Sequence, residues 1–79
     1  KIKMLKENRI MITTDDNIFG INPYTCVKQE KKYFEINLMK SGLNKWISSP
    51  ILLKGNIEFF VVANNNSGNS LVQHKKFNI

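Results

Sequence analysis

The chain has 79 residues, of which 42% are hydrophobic, and its 12 Lys and Arg residues outnumber 6 Asp and Glu residues to give a net charge of +6. This length predicts a single domain over residues 1–79 that buries only about 60% of its unfolded surface, which excludes a deep active-site cavity. The hydrophobic share excludes a disordered chain, and the absence of any run of about 18 apolar residues excludes a membrane span.

Lysine supplies nearly all of the positive charge, since Arg9 is the only arginine. A lysine surface attracts anions diffusely and makes few bidentate contacts, so it does not by itself indicate base recognition. Lys, Asn and Ile are all abundant, as in proteins encoded by AT-rich genomes, and this bias alone raises the isoelectric point. The chain begins with Lys1 instead of Met, so we expect a secreted protein or part of a larger processed one.

The secondary structure follows from the spacing of apolar residues. The opening segment, residues 1–8, is the only helix candidate, and it is too short to be stable alone. From there on, apolar residues recur at every second position, which is typical of strands. The pattern predicts strands at 9–14, 24–29, 32–39, 47–53, 56–63 and 70–79, and turns rich in Asn, Asp and Gly at 15–17, 20–23, 40–44, 54–56 and 64–69.

Three of these strands have distinctive features. In KYFEINLM (32–39), Phe34, Ile36 and Leu38 alternate with polar residues, which predicts a half-buried strand. Pro50 makes 47–53 an edge strand or divides it, because proline cannot donate a ladder hydrogen bond. The strand at 56–63 is apolar on both faces: one face carries Ile57, Phe59, Val61 and Ala63, and the other carries Phe60 and Val62.

Six to seven short strands at roughly ten-residue spacing predict an all-β fold, a small antiparallel β-sandwich or barrel. The chain is therefore expected to be a single β domain.

Catalytic and metal-binding groups are scarce. A triad needs a nucleophile, a base and a carboxylate, but His74 is the only histidine and no Gly-x-Ser-x-Gly elbow is present. Asp15 and Asp16 are adjacent in a predicted turn, where they bond their own backbone more readily than they form an acid and base pair. Cys26 is the only cysteine, so neither a disulfide nor a structural zinc site is predicted. We expect a non-catalytic protein without cofactor or metal.

Binding by exposed aromatic rings is the alternative to catalysis. Trp46 lies in GLNKWISSP between a predicted turn and an edge strand, and Tyr24 and Tyr33 also fall outside the core-facing phase. Exposed Trp and Tyr rings stack on sugars, nucleobases or partner side chains. The competing interpretation is that Trp46 closes one end of the sandwich.

The last hairpin, IEFFVVA followed by NNNSGN and a strand ending in Phe77, Asn78 and Ile79, resembles that of the starch-binding type of carbohydrate-binding module. This family consists of non-catalytic β-sandwich proteins that bind glucans. Its loop normally carries a Trp beside the Asn residues, and NNNSGN has none. The resemblance therefore implies stacking on Trp46 with Tyr24 or Tyr33, and hydrogen bonds to sugar hydroxyls from Asn64, Asn65 and Asn66. The other interpretation is that NNNSGN only reverses the chain.

Two further binding hypotheses remain open. A small basic β-barrel binds single-stranded nucleic acid through lysines and stacking rings, for which Lys28, Lys31, Lys32 and Lys45 are the candidates. A structural module instead docks on a protein partner through the second apolar face of the strand at 56–63, where Phe60 and Val62 form the patch.

Overall fold

The predicted all-β antiparallel sandwich is confirmed. The computed structural model describes residues 1–21 and 24–79, and these residues contain nine strands. This number exceeds the six to seven predicted. The only helical element in those residues is a single 3₁₀ turn at Lys6–Asn8. The strands are β1 Ile2–Met4, β2 Ile10–Thr13, β3 Ile18–Ile21, β4 Cys26–Gln29, β5 Lys32–Glu35, β6 Leu38–Gly42, β7 Lys45–Ser48, β8 Asn56–Asn65 and β9 Ser70–Asn78.

The strands form two antiparallel sheets. The first sheet has the order β1-β2-β7-β6, and the second is built around β8. β9 pairs with one edge of β8 over its whole length. β4 and β3 share the other edge, with Val27 opposite Phe59 and Ile21 opposite Ala63, and β5 follows β4. β8 and β9 are therefore a long hairpin whose second strand forms an edge of the sheet.

The core lies between the sheets, because each sheet turns one face of alternating apolar residues toward the other. The inner face of β8 is the predicted one, and all four of its residues are buried. From the first sheet, β2 and β7 contribute the side chains that pack against it. The buried cluster consists of Ile2, Ile10, Ile12, Val27, Trp46, Ile51, Ile57, Phe59 and Val61.

A threonine side chain joins the start of β4 to β8. Thr25 is buried, and its Oγ1 accepts a hydrogen bond of 3.0 Å from the Val62 N–H and donates one of 3.3 Å to the Val62 carbonyl. Val62 lies in β8 between the residues that pair with β4 and those that pair with β3. The Thr25 hydroxyl therefore bonds two backbone groups that neither strand reaches.

The prediction of one strand at 32–39 is wrong, because this segment forms β5 in the second sheet and β6 in the first. The chain crosses between the sheets at Ile36 and Asn37, and the Asn37 carbonyl accepts a hydrogen bond of 3.0 Å from the Ser49 N–H. All four residues of β5 are exposed, Phe34 at 37% among them, so the predicted half-buried face is wrong at Phe34, whereas Ile36 and Leu38 pack against the core. The alternation of apolar residues nevertheless continues across the crossover. A period-two pattern therefore did not reveal the bend.

The opening helix candidate is also wrong. Residues Ile2–Met4 form β1, and the 3₁₀ turn then leads into β2 with the Leu5 N–H donating to the Arg9 carbonyl at 2.7 Å. Glu7 and Asn8 have φ angles of 61° and 57°, in the left-handed region that ends a regular helix.

Other boundaries differ in smaller ways. The strand predicted at 47–53 is β7, which begins at Lys45 and ends at Ser48, and residues 49–54 are irregular, in keeping with Pro50. Within the turn predicted at 20–23, Gly20 and Ile21 belong to β3, while Asn22 and Pro23 lie outside the described residues. The turn predicted at 40–44 is shorter, because β6 continues to Gly42.

Candidate functional site

The outer face of the second sheet carries an apolar patch next to β9. Since Phe59 and Val61 face the core, their neighbours on β8 face outward, and the register places Phe60 opposite His74 and Val62 opposite Val72. Phe60 and Val62 are half-buried, whereas Val72 is 61% exposed. We refer to Phe60, Val62 and Val72 as the outer patch.

His74 is fixed on this face by two contacts. Its ring stacks on Phe60 with 5.7 Å between ring centroids and an interplanar angle of 28°. Its Nδ1 lies 2.8 Å from Oε2 of Glu58, which is an ion pair when the imidazole is protonated. These contacts hold the imidazole beside the outer patch.

The free edge of β9 presents backbone groups to solvent. Gly55 and Ile79 exchange backbone hydrogen bonds of 2.8 and 2.9 Å where the hairpin opens. Because hydrogen-bonded and non-bonded pairs alternate in an antiparallel ladder, every second residue of β9 bonds to β8. The bonded residues are Leu71, Gln73, Lys75 and Phe77. The residues between them, Val72, His74 and Lys76, point their N–H and C=O groups away from β8, and no described strand pairs with that edge.

The side chains of this edge are basic. His74, Lys75 and Lys76 follow one another, and β9 contains no carboxylate. Lys75 Nζ donates a hydrogen bond of 3.1 Å to the Ile2 carbonyl of β1 and lies 5.6 Å from the Phe77 ring centroid. Lys75 thereby links the edges of the two sheets.

A cavity of about 170 Å³ lies between the sheets beside the linked edges. Its exposed lining residues include Lys1 on one side and Leu71 and Gln73 on the other, and these mark its opening. Thr14 also lines it, and the Thr14 Oγ1 atom is buried without a hydrogen-bond partner among the described residues. The apolar part of the wall consists of Ile2, Ile12, Ile18, Val61, Ala63 and Leu71.

The prediction that Trp46 offers an exposed ring is wrong. Trp46 is only 8% exposed and lies in β7 opposite Ile12, in the core between the sheets. Lys40 Nζ is 5.6 Å from the Trp46 ring centroid, at the edge of the core. The competing interpretation, that this ring packs in the sandwich, agrees with the burial.

Asn64 and Asn65, which were predicted to lie in the loop, are the last residues of β8, and together with Asn66 they make hydrogen bonds within the protein. The Asn65 Oδ1 accepts hydrogen bonds from the Ser67 N–H at 3.1 Å and the Asn69 N–H at 2.9 Å, which closes the β8–β9 turn. The Asn64 Oδ1 accepts a hydrogen bond from the Ser70 hydroxyl. Asn66 donates from its side chain to the Asp16 carbonyl. Part of the hydrogen-bonding capacity that the glucan hypothesis assigns to sugar hydroxyls is therefore used within the protein.

Two predicted aromatic residues are exposed. Tyr24 is 81% exposed and Tyr33 is 64% exposed. On the outer face, Tyr33 of β5 pairs with Lys28 of β4, whose Nζ lies 5.6 Å from the Tyr33 ring centroid. Tyr24 lies in the turn before β4 and Tyr33 in β5, so the two rings are not on the same element.

The structure divides the predicted lysines into two groups. Lys28, Lys31 and Lys32 lie together on the β4–β5 hairpin of the second sheet. Lys45 begins β7 in the first sheet, so it does not belong to the same surface. We refer to Lys28, Lys31 and Lys32 as the hairpin lysines.

Cys26 lies on the outer face, with Glu35 and Phe60 as its cross-strand neighbours. Desolvation by burial raises the pKa of the Cys26 thiol. The described residues contain no group of three or more His, Cys, Asp or Glu side chains placed to hold a metal ion. Within the same residues, no helix has the length and apolar character needed to cross a membrane.

Comparisons with protein-family models, with curated proteins and with solved structures found no match to this chain. The resemblance to a starch-binding module and the absence of catalysis therefore stay predictions.

The sequence analysis identified Phe60 and Val62 but missed the open edge of β9 and the cavity. β9 has nine residues, three of which are consecutive basic residues, and this pattern indicates an edge strand because lysines are common on sheet edges. The cavity had no sequence signal, because it depends on how the sheets pack.

Proposed function

We propose that the chain is a protein-docking module in which an extended segment of a partner adds to β9 as a further strand. The observation that carries the proposal is the open edge, where Val72, His74 and Lys76 direct their backbone groups away from β8. An added strand gains main-chain hydrogen bonds along the edge, and its side chains contact the neighbouring faces. The outer patch next to this edge extends the apolar contact.

A second copy of the chain is a poor occupant of this edge. Self-pairing of β9 would align two strands that carry lysines and no carboxylate. Like charges across a strand pair are destabilising, and lysines on an edge strand oppose self-association. The edge thus favours a partner of different charge over a copy of itself.

Amide hydrogen exchange followed by NMR tests strand addition directly. In the free protein, we expect fast exchange at Val72, His74 and Lys76 and slow exchange at Gln73 and Lys75, whose N–H groups bond to β8. A blocked heptapeptide that alternates valine with glutamate is the probe. Added in excess, it is expected to slow exchange at the three outward amides.

A proline variant supplies the control for this experiment. Val72→Pro removes one outward N–H without removing a bond to β8, and proline is tolerated on edge strands. We expect about fivefold weaker binding of the heptapeptide, the effect of one backbone hydrogen bond. Val72→Thr changes the same side chain but keeps the N–H, so the weaker binding of Val72→Pro relative to Val72→Thr isolates the backbone hydrogen bond. Unchanged outward amides at millimolar peptide, or amides that become protected by raising the protein concentration alone, would overturn the proposal.

A second candidate function is single-stranded nucleic-acid binding by the hairpin lysines. The observation that favours it is the placement of Lys28 over the exposed Tyr33 ring, with Lys31 and Lys32 in the same hairpin. A stacking ring beside cationic side chains is the usual arrangement in such sites. Trp46 has no part in this candidate, because its ring is buried.

Titration with single-stranded oligothymidylate at low and high salt tests this candidate. Lys28→Gln and Lys32→Gln are expected to weaken binding and to reduce its salt dependence, because phosphate contacts release counterions. Lys45→Gln is the matched control in the other sheet and is expected to have a smaller effect. Binding of a soluble α-glucan that is insensitive to salt would instead support the carbohydrate hypothesis with Tyr24 or Tyr33 as the stacking ring.

A further inference from the structure

We infer that the β9 edge selects an extended acidic segment with one aliphatic residue that enters the cavity between the two sheets. This inference rests on the proposed strand addition and names the chemistry of the partner. Two independent features carry it: the position of the cavity beside the edge and the charge of β9.

The cavity lies where an added strand places an inward side chain. Directly opposite residues in neighbouring strands share a face, so the partner residue opposite Gln73 points to the inner side of the second sheet. Leu71 and Gln73 line the cavity, and Ile2 of β1 lies on its other side. The cavity of about 170 Å³ has the volume of an apolar cavity that holds benzene, so it has room for one aliphatic side chain. Its lining combines the aliphatic residues named above with polar ones, among them Thr14 and Asp15.

The outward positions of the added strand meet positive charge. Partner residues opposite His74 and Lys76 lie on the outer face, where both side chains are exposed. Glu58 lies opposite Lys76 in the register of β8 with β9, but its Oε2 contacts His74 Nδ1 at 2.8 Å, and no described carboxylate lies within ion-pair distance of Lys76. A glutamate or aspartate opposite Lys76 forms a favourable cross-strand pair, and a lysine there is destabilising. The preferred segment therefore alternates an aliphatic inward residue with acidic outward residues.

Three blocked heptapeptides separate these features when their affinities are measured by NMR titration. The first alternates valine with glutamate, the second alanine with glutamate, and the third valine with lysine. We expect about tenfold weaker binding of the alanine peptide, which leaves the cavity unfilled. We expect about tenfold weaker binding of the lysine peptide, with a difference that shrinks in salt because exposed charges are screened.

Two variants assign these differences to the structure. Lys76→Gln is expected to reduce the preference for glutamate over lysine peptides, and Lys3→Gln, at an exposed position of β1, is expected to leave it unchanged. Ala63→Val narrows the cavity and is expected to bring the valine peptide to the affinity of the alanine peptide. Denaturant unfolding of Ala63→Val shows that the variant is folded under the titration conditions.

The outcomes distinguish this inference from the proposed function. Equal affinity for all three peptides, with the outward amides protected by each, overturns the assigned partner chemistry and leaves strand addition standing. Protection by none of the peptides overturns both. A preference for the lysine peptide also overturns the inference, because it reverses the sign of the expected pairing.

Discussion

The imidazole of His74 stacks on the Phe60 ring with 5.7 Å between ring centroids, across the pairing of β9 with β8. Phe60 is half-buried under this contact, although it lies on the outer face of the sheet. One exposed polar ring thus covers part of an apolar ring that has no second sheet above it. The stack connects the stability of the β8–β9 hairpin to the surface proposed for docking.

A double-mutant cycle with Phe60→Leu and His74→Gln measures this stack. We expect a coupling free energy of about 0.5–1.5 kcal/mol from denaturant unfolding, the range of aromatic pairs beyond their buried area. The His74 ion pair with Glu58 is lost in both legs of the cycle and therefore cancels. A cycle between Phe60 and Lys76, which do not stack, is the control and is expected to give no coupling. Equal coupling in the two cycles would contradict the prediction.

The buried hydroxyl of Ser48 gives a second prediction, because it accepts the hydrogen bond of a backbone N–H in β2. The Ser48 Oγ accepts a hydrogen bond of 2.8 Å from the N–H of Ile10, a fully buried residue, and donates one of 2.8 Å to the Ser49 carbonyl. Ser48→Ala leaves the Ile10 N–H unsatisfied, so we expect the free energy of unfolding to fall by about 1–3 kcal/mol.

The neighbouring serine is the control for that loss. Ser49 is exposed, and Ser49→Ala is expected to change the free energy of unfolding by less than about 0.5 kcal/mol. Urea unfolding of the two variants provides the comparison. Equal losses would show that the Ser48 hydroxyl has no special role.

Thr25 allows a sharper test of a side chain that acts as a strand partner. Thr25→Val keeps the shape but removes the hydroxyl that bonds both backbone groups of Val62. We expect a loss of about 1–3 kcal/mol and faster hydrogen exchange at the Val62 amide. Thr25→Ser keeps the hydroxyl, so its Val62 amide is expected to stay protected. Protection of that amide in the valine variant would mean that another group satisfies it.

The fold class could be predicted from sequence because it depends on local alternation. The inner face of β8 follows directly from apolar residues at every second position, and its burial is confirmed. The break between β5 and β6 could not be predicted in this way, since Ile36 within the crossover and Leu38 after it both pack against the core and keep the alternation unbroken. β3 was missed because its Gly20 indicated a turn, whereas the strand there is held by pairing to β8.

The candidate site was predicted only in part, for a related reason. Phe60 and Val62 stood out because they make β8 apolar on both faces. The burial of Trp46 depends on which face of β7 meets the other sheet. The flanking Lys45 and polar residues instead indicated that the Trp46 ring is exposed. The open edge of β9 and the cavity depend on strand order and sheet packing, which are not local properties of the sequence.

Cys26 gives a pH-dependent prediction. Burial raises the pKa of its thiol above the ordinary value of 9.0, so the folded state favours the protonated form. This contribution to stability is fully present below the unfolded pKa and is lost as pH rises through the folded pKa. We therefore expect the free energy of unfolding to fall above about pH 9 more steeply than in Cys26→Ser.

Alkylation with iodoacetamide at pH 8 checks the same property through reactivity. The thiolate is the reactive form, so native Cys26 is expected to react more slowly than the unfolded chain. Equal rates in the native and unfolded states, together with parallel pH profiles for the unmodified chain and Cys26→Ser, would contradict the raised pKa.

The buried position of Trp46 predicts how its fluorescence responds to ligands. With 8% of the residue exposed, we expect a blue-shifted emission in the native state, weak quenching by acrylamide and a red shift on unfolding.

Trp46→Ala removes the largest side chain of the core cluster. We expect this variant to lower the free energy of unfolding by about 3–5 kcal/mol, which is enough to unfold most of a domain this small. Tyr33→Ala, at an exposed ring, is expected to change the free energy of unfolding by less than about 0.5 kcal/mol.

Titration of the unmodified chain with soluble α-glucan, oligothymidylate or the valine and glutamate heptapeptide should leave the Trp46 emission unchanged, because none of them reaches the indole. A saturable shift with glucan would mean that this ring becomes exposed to the ligand, and it would restore the stacking role that the burial argues against.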